Sequence, residues 1–265
     1  MSMVVRRRFR TLVALTPPVV ITVTAALAGL VLVRRYASME VLRASNDVVG
    51  NYLQTLGTVY AVLLAFVVYV VWTQFNDARA QVEREANEIV DLYRTAKGFP
   101  EPARRHLQEH LRRYTQTVLD EEWEAMACSD EACIDRISKI LDETWDGLKS
   151  FEPASGCHGS LFEEALQRFN ELSDLRTMRL TSARQRIPFA MRLLLYFGAV
   201  IMIGSMWLFY LESFTVHVII TSAMAGAVSH VLYLIKDLDD CFDGDFQVSK
   251  APFERARRYI AETTA

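Results

Sequence analysis

The apolar residues of this chain fall into long uncharged runs and into stripes of helical period, and no stretch shows the period-two alternation of a half-buried strand. The run from Gln54 to Thr73 is uncharged and almost wholly apolar; about 20 such residues match a hydrocarbon core of roughly 30 Å. From Gln74 to Lys97 the helical period continues while the other faces become charged. Phe75, Ala78, Val82, Ala86, Ile89, Tyr93 and Ala96 recur at three- and four-residue steps, the seam of a helix packed lengthwise on others. Neither Gly nor Pro interrupts the stretch between Gly57 and Gly98, and Gly98 with Pro100 supplies a stop. The pattern predicts one unbroken rod on the order of 65 Å long, half in lipid and half in water.

Three further runs predict three further spans. Leu12 to Val33 follows Arg6, Arg7, Arg8 and Arg10. It is longer than a signal-peptide core and lacks a small-x-small site before Arg34, so it reads as an uncleaved first span. Thr16 with Pro17 and Pro18 predicts the helix start, the residues before it lying along the interface. Phe189 to Tyr210 and Phe214 to Ile235, separated only by Leu211 to Ser213, predict a hairpin of two spans.

Between spans two and three the pattern is amphipathic. One helix begins near Pro102 and carries Leu107, Leu111, Tyr114, Val118 and Met126 on one face. A second begins at Ser129 to Glu131 and carries Ile134, Ile137, Leu141, Trp145 and Leu148. After a break at Glu152 to Gly159, a capping box of Ser160 and Glu163 starts a third. That helix ends in a basic ladder, Arg176, Arg179, Arg184 and Arg186, before Pro188.

The expected fold is all-α: four transmembrane helices with a cytoplasmic helical domain inserted between the second and third. The expected division is 1–11, a cytoplasmic or interfacial amino-terminal segment; 12–73, spans one and two; 74–187, the helical domain; 188–235, spans three and four; and 236–265, a cytoplasmic tail. Basic residues near the span ends place both termini and the helical domain on the cytoplasmic side, with Arg34 and Arg35 as the opposing signal.

Composition changes this picture little. The chain has 265 residues, is 51% hydrophobic and has a net charge of -3, which leaves no basic footprint for nucleic acid. Its four cysteines, Cys128, Cys133, Cys157 and Cys241, form no disulfide framework and suit a reducing compartment.

Candidate chemistry is sparse. His106, Glu109 and His110 spell H-x-x-E-H, a peptidase zinc motif, but within a charged amphipathic helix that reads better as a solvated face. Cys128, Cys133 and the Cys157-His158 pair have loose spacing for a metal site and read better as loop residues. No phosphate loop, nucleophile elbow or dinucleotide fingerprint occurs, so the chain is not expected to be an enzyme. Asp237, Asp239, Asp240, Asp243 and Asp245 form an acidic run whose opening resembles an EF-hand loop, yet Lys250 stands where the bidentate Glu belongs. The carboxylates of Asp239, Asp240, Asp243 and Asp245 either bind a hard divalent cation such as calcium or pair with the arginine ladder.

The spans carry no Asp, Glu or Lys away from their ends, which argues against a proton-coupled transporter. Gly57, Ala61 and Ala65, and Ser222, Gly226 and His230, form small-residue stripes suited to close helix contacts. Val59, Val62, Phe66, Tyr69 and Val70 occupy other faces of the second span. Repeated around a symmetry axis they would form an apolar constriction that gates by dewetting; otherwise they pack against lipid or neighbours.

Four spans, a helical domain after the second, and a second span continuing as a long helix together resemble bestrophin channels. More closely, the chain resembles the bestrophin-like family of uncharacterised bacterial membrane proteins. The matching pieces are Gly57 to Tyr60, Leu64 to Phe66, Trp72 to Phe75, Val82 to Glu85, Asp91 to Arg94, Glu121 to Trp123, Arg176 with Arg179, and Asp239 to Phe253. A Pro-Phe pair usual in that family after the last span is here Cys241-Phe242. The resemblance implies a pentamer with a pore lined by the second span, Val62, Phe66 and Val70 near its neck, and a calcium-binding acidic segment near Asp239 to Asp245. The expected function is a homo-oligomeric ion channel of the bacterial inner membrane, its partners being other copies of itself, lipid and permeating ions. The rival is a non-conducting membrane scaffold or sensor whose cytoplasmic helices bind a partner.

Overall fold

A computed structural model describes residues 3–149 and 157–264; side chains are described for residues 16–149 and 159–263. The described residues form ten α-helices and no strand. In chain order they are α1 (Met3–Tyr36), α2 (Met39–Ala44), α3 (Asn46–Thr95), α4 (Ala103–Thr117), α5 (Trp123–Cys128), α6 (Glu131–Lys149), α7 (Cys157–Arg184), α8 (Phe189–Trp207), α9 (Phe214–Leu238) and α10 (Ala251–Thr264). Four segments of them, Thr16–Tyr36, α3, α8 and α9, are long and apolar enough to cross a membrane. The chain divides into two compact units, 1–73 with 186–239, and 74–185 with 240–265.

α3 is the element the apolar pattern singles out. It is a single helix of 50 residues, about 75 Å by rise, and it begins eight residues before Gln54. A 3-10 turn, Ala96–Gly98, closes it. Residues 46–73 belong to the first unit and 74–95 to the second.

In the first unit α1 packs along α9 and touches α8, and α8 pairs with α9. Ser213 caps α9 by accepting a hydrogen bond from the Val216 amide. α1 does not begin at Thr16, as the two prolines suggest. It runs through Pro17 and Pro18, forfeiting two amide donors, as helices do when their neighbours or local side chains restore the freed backbone groups. Close contacts use other glycines than the expected stripes. A side chain at Gly29 would overlap the Trp207 ring, and one at Gly198 would come within 2.5 Å of the Tyr60 ring. The Trp207 indole donates to the Ala26 carbonyl at 2.9 Å, and the Tyr60 hydroxyl to the Leu195 carbonyl at 2.9 Å. Gly57 merely approaches Met202, Gly226 faces open space, and Ala61 and Ala65 are exposed.

In the second unit the predicted seam of α3 is the core. Ala78, Val82, Ala86, Ile89, Tyr93 and Ala96 are buried against α4, α6, α7 and α10, with Phe75 partly buried beside them. All five residues expected on the α4 face are buried, and of the α6 set only Trp145 is less than buried. A π-helical turn, Val118–Glu122, follows α4. Its wider winding goes with adjacent inward positions at Glu122 and Trp123, and Trp123 packs edge-on against Phe242 and Phe253. Asp130, rather than Ser129, caps α6, accepting from the Cys133 amide at 3.1 Å; Ser129 turns the chain in the left-handed region at φ 56°. α7 begins at Cys157, so Ser160 lies inside it instead of starting it. Most of the expected break from Glu152, and the side chains of Cys157, His158, Arg6, Arg7, Arg8 and Arg10, lie outside the described residues.

Candidate functional site

On α3, Tyr60, Val67 and Val71 are buried while the opposite face is not covered by the chain's own helices. Val59, Val62, Phe66 and Tyr69 are 64%, 64%, 59% and 68% exposed. At 100° per residue Val62, Phe66 and Tyr69 fall within about 60° of one another. Val70 lies at the margin of this stripe and is half-buried. The same face carries Asn51, Thr55 and Thr58 on one side of the apolar patch and Thr73 on the other. Each threonine donates its hydroxyl to the carbonyl one turn back, Thr55 to Asn51, Thr58 to Gln54 and Thr73 to Tyr69, at 2.9–3.0 Å. The hydroxyl protons are thereby spent inside the helix, leaving oxygen lone pairs to face outward.

The second feature is a buried ionic cluster in the second unit. Glu85 on α3, Glu122 on the π turn, Arg176 and Arg179 on α7, and Tyr114 on α4 meet there, all at most 6% exposed. The Arg179 guanidinium donates to both Glu85 oxygens at 2.6 and 3.0 Å and to Glu122 Oε2 at 2.6 Å. Its remaining nitrogen faces the Met126 sulfur, and the group sits 5.6 Å from the Phe253 ring centre. Arg176 donates two hydrogen bonds to Glu122 Oε1, one to Ser138 Oγ and one to the Ile134 carbonyl. The Tyr114 hydroxyl donates to Glu85 Oε1 at 2.5 Å.

Two cations against two carboxylates leave the cluster neutral, the condition under which buried charges persist. Burial would raise the Glu122 carboxyl, but the Arg179 and Arg176 charges outweigh it and hold the group below its ordinary value. Burial likewise opposes the Arg179 charge, yet Glu85 and Glu122 keep it protonated well above the usual range. Burial, then the Glu85 charge, pushes the Tyr114 phenol far up, so it stays a donor.

This cluster gives two arginines of the ladder, Arg176 and Arg179, partners other than the acidic run. Arg176 and Arg179 pair with Glu122 and Glu85, and Arg184 with Glu131. The signal in sequence was the presence of Glu85, Glu122, Arg176 and Arg179 among the pieces that carry the family resemblance.

The acidic run builds a turn. Asp239 accepts the Ile187 amide at 2.7 Å, Asp240 accepts the Asp243 amide at 3.2 Å, and Gly244 takes φ 90°. Asp239 is buried and Asp243 exposed, with Asp240 and Asp245 between. Among the described residues no three His, Cys, Asp or Glu side chains are grouped to hold a metal ion.

In H-x-x-E-H the His106 and His110 rings lie 4.8 Å apart beside a cavity of about 20 Å³. Glu109 is drawn off by Arg112 at 2.6 Å, so the two imidazoles have no carboxylate turned toward them from their own motif. Burial, then the neighbouring His106, lowers the His110 pKa.

A family model described as the Bestrophin-like domain matches residues 20–253. Comparison with curated proteins returns no significant match. Among solved structures, a bacterial bestrophin homolog from Klebsiella pneumoniae is similar at a TM-score of 0.70 and 13% identity, covering 93% of this chain and 97% of that one. A single-substitution variant of that homolog matches at 0.69 and 13%, covering 93% and 99%. A crystal structure of a membrane protein variant matches at 0.70 and 14%, covering 93% and 97%. These likenesses concern the fold, and with the four apolar helices they support a membrane protein. With the family model spanning most of its length, this chain belongs to the bestrophin-like family.

Proposed function

We propose that the protein is a homo-oligomeric ion channel, a pentamer in the bacterial inner membrane, whose pore is lined by the exposed face of α3. One observation carries the reading. Val59, Val62, Phe66 and Tyr69 stand uncovered on a helix whose other face is packed, with hydroxyl and amide residues before and after them. Set around an axis, such a face is wet at both ends and dry in the middle, the arrangement of a gate that opens by wetting. Membership of the bestrophin-like family supports the same assignment. Basic residues near the span ends support a cytoplasmic side for both termini and the second unit. Arg34, the contrary signal, donates to the Leu211 carbonyl and lies over the Phe214 ring, which gives it a packing role at the outer end.

The test is ion flux from liposomes holding the purified protein, with Phe66→Ala beside the wild type. Truncating Phe66 widens the dry segment, so flux per oligomer rises by at least about tenfold if the barrier falls by about 1.4 kcal/mol. Flux unchanged by the substitution puts the barrier elsewhere than at Phe66. An intact oligomer that passes no ions in either form transfers the α3 face to contact with a partner helix. That is the scaffold reading.

A further inference from the structure

On the face of the first unit made by α1, α8 and α9 lies a groove of about 570 Å³, walled by Pro18, Ile21, Val200, Ile203, Val228 and Leu232. The wall is mainly aliphatic: of its two small hydroxyl residues, Thr22 and Ser229, the Thr22 hydroxyl donates to the Pro18 carbonyl at 2.8 Å and Ser229 is buried. One end is basic and aromatic: Lys236 lines it from the last turn of α9, with Tyr196 and Tyr233 nearby on the wall. Arg192, exposed one turn before Tyr196 on α8, lies toward the same end. Of the acidic residues that follow Lys236, Asp237 and Asp239 are buried and Asp240 is half-buried; Asp239 accepts the Ile187 amide and Asp240 the Asp243 amide.

Two quantities fit this groove to a lipid. From Lys236 to Val228 is about 12 Å of helix, close to the ~15 Å of one leaflet's hydrocarbon. Lysine and tyrosine at the shallow end with aliphatic side chains below reproduce the polarity gradient of that leaflet. A second copy of the chain fits less well, because its apolar spans bring no carboxylate to meet Lys236 and Arg192, and burying unpaired charge is costly. We propose that the groove holds one acyl chain of an anionic phospholipid from the leaflet on the Lys236 side, its phosphate lying against Lys236 and Arg192. The site does not depend on whether the protein conducts.

Native mass spectrometry of the full-length oligomer, with phosphatidylglycerol or phosphatidylethanolamine added at equal concentration, tests the site. The wild type retains phosphatidylglycerol in preference, and Lys236→Gln and Arg192→Gln each lower that preference about fivefold. Val228→Trp, which fills the groove, removes both lipids to the same extent. The oligomer mass in the same spectra separates lost binding from lost assembly, and the two exposed charge variants carry the test if the tryptophan variant does not assemble. Equal retention of the two lipids by the wild type overturns the proposal, as does undiminished binding by an assembled Val228→Trp. Efficient inter-chain crosslinking between Ile21→Cys and Val200→Cys in membranes also overturns it, and gives the groove to a second copy.

Discussion

At the residue scale, Arg179 joins more of the second unit than any other single side chain described above. One guanidinium satisfies carboxylates from α3 and from the π turn, while its charge is matched by theirs. Replacement by hydrophobic residues on both sides can be neutral, but removing one partner strands a buried charge. Arg179→Met therefore lowers stability by about 3–5 kcal/mol, read as a drop in the chemical-denaturation midpoint in detergent. Adding Glu85→Leu to that variant recovers part of the loss, since it removes the carboxylate left with only the Tyr114 hydroxyl. The ladder of arginines is visible in the sequence, but its partners are not. Arg179 meets Glu85 across 94 positions and Glu122 across 57, and no spacing rule links residues so far apart. The nearby acidic run was the natural sequence-level partner, and for Arg176 and Arg179 helix packing chose otherwise.

At the element scale, apolar periodicity located the helices because a membrane and a helical core both demand it. It was less informative about which small residues allow close approach. Gly57, Ala61 and Ala65 make the better stripe on paper, yet Gly198 and Gly29 take the rings of Tyr60 and Trp207, because the size of the opposing side chain decides the contact. Gly198→Val forces the Tyr60 ring away and strains its hydrogen bond to Leu195, for a loss of about 1–3 kcal/mol, seen as a lower melting temperature. Combined with Tyr60→Ala the two changes are less than additive, because the ring that clashes is gone. α1 shows the other failure of local rules, since two adjacent prolines mark a helix start by propensity yet here sit inside a continuous helix.

At the scale of the whole molecule, a single chain leaves apolar surface uncovered that lipid, other copies or both must cover. The exposed α3 face and the α1–α8–α9 groove are two such surfaces, and charge separates them. The groove has cations at its rim, whereas the α3 stripe has neutral hydroxyl and amide groups beyond it. If five copies enclose the α3 face, native mass spectrometry of the detergent-extracted protein gives five times the 30.2 kDa chain mass. Crosslinking from Phe66→Cys then joins neighbouring chains. A dimer, or a monomer with Phe66→Cys reactive to a lipid-soluble thiol probe, would return that face to the bilayer.

By itself the sequence determined the helical class, the four apolar spans, the continuity of the second of them into a charged rod, and the face of that rod that forms the second unit's core. These are consequences of local period and of the length a bilayer imposes, both of which are written in consecutive residues. The tertiary structure decided which of the charged residues are interior, which glycines touch rings, that Val70 is half-buried while Val62 and Phe66 stand out, and that the acidic run serves a turn. Those outcomes depend on pairings between helices distant along the chain, where complementary size and charge are settled only when the helices pack.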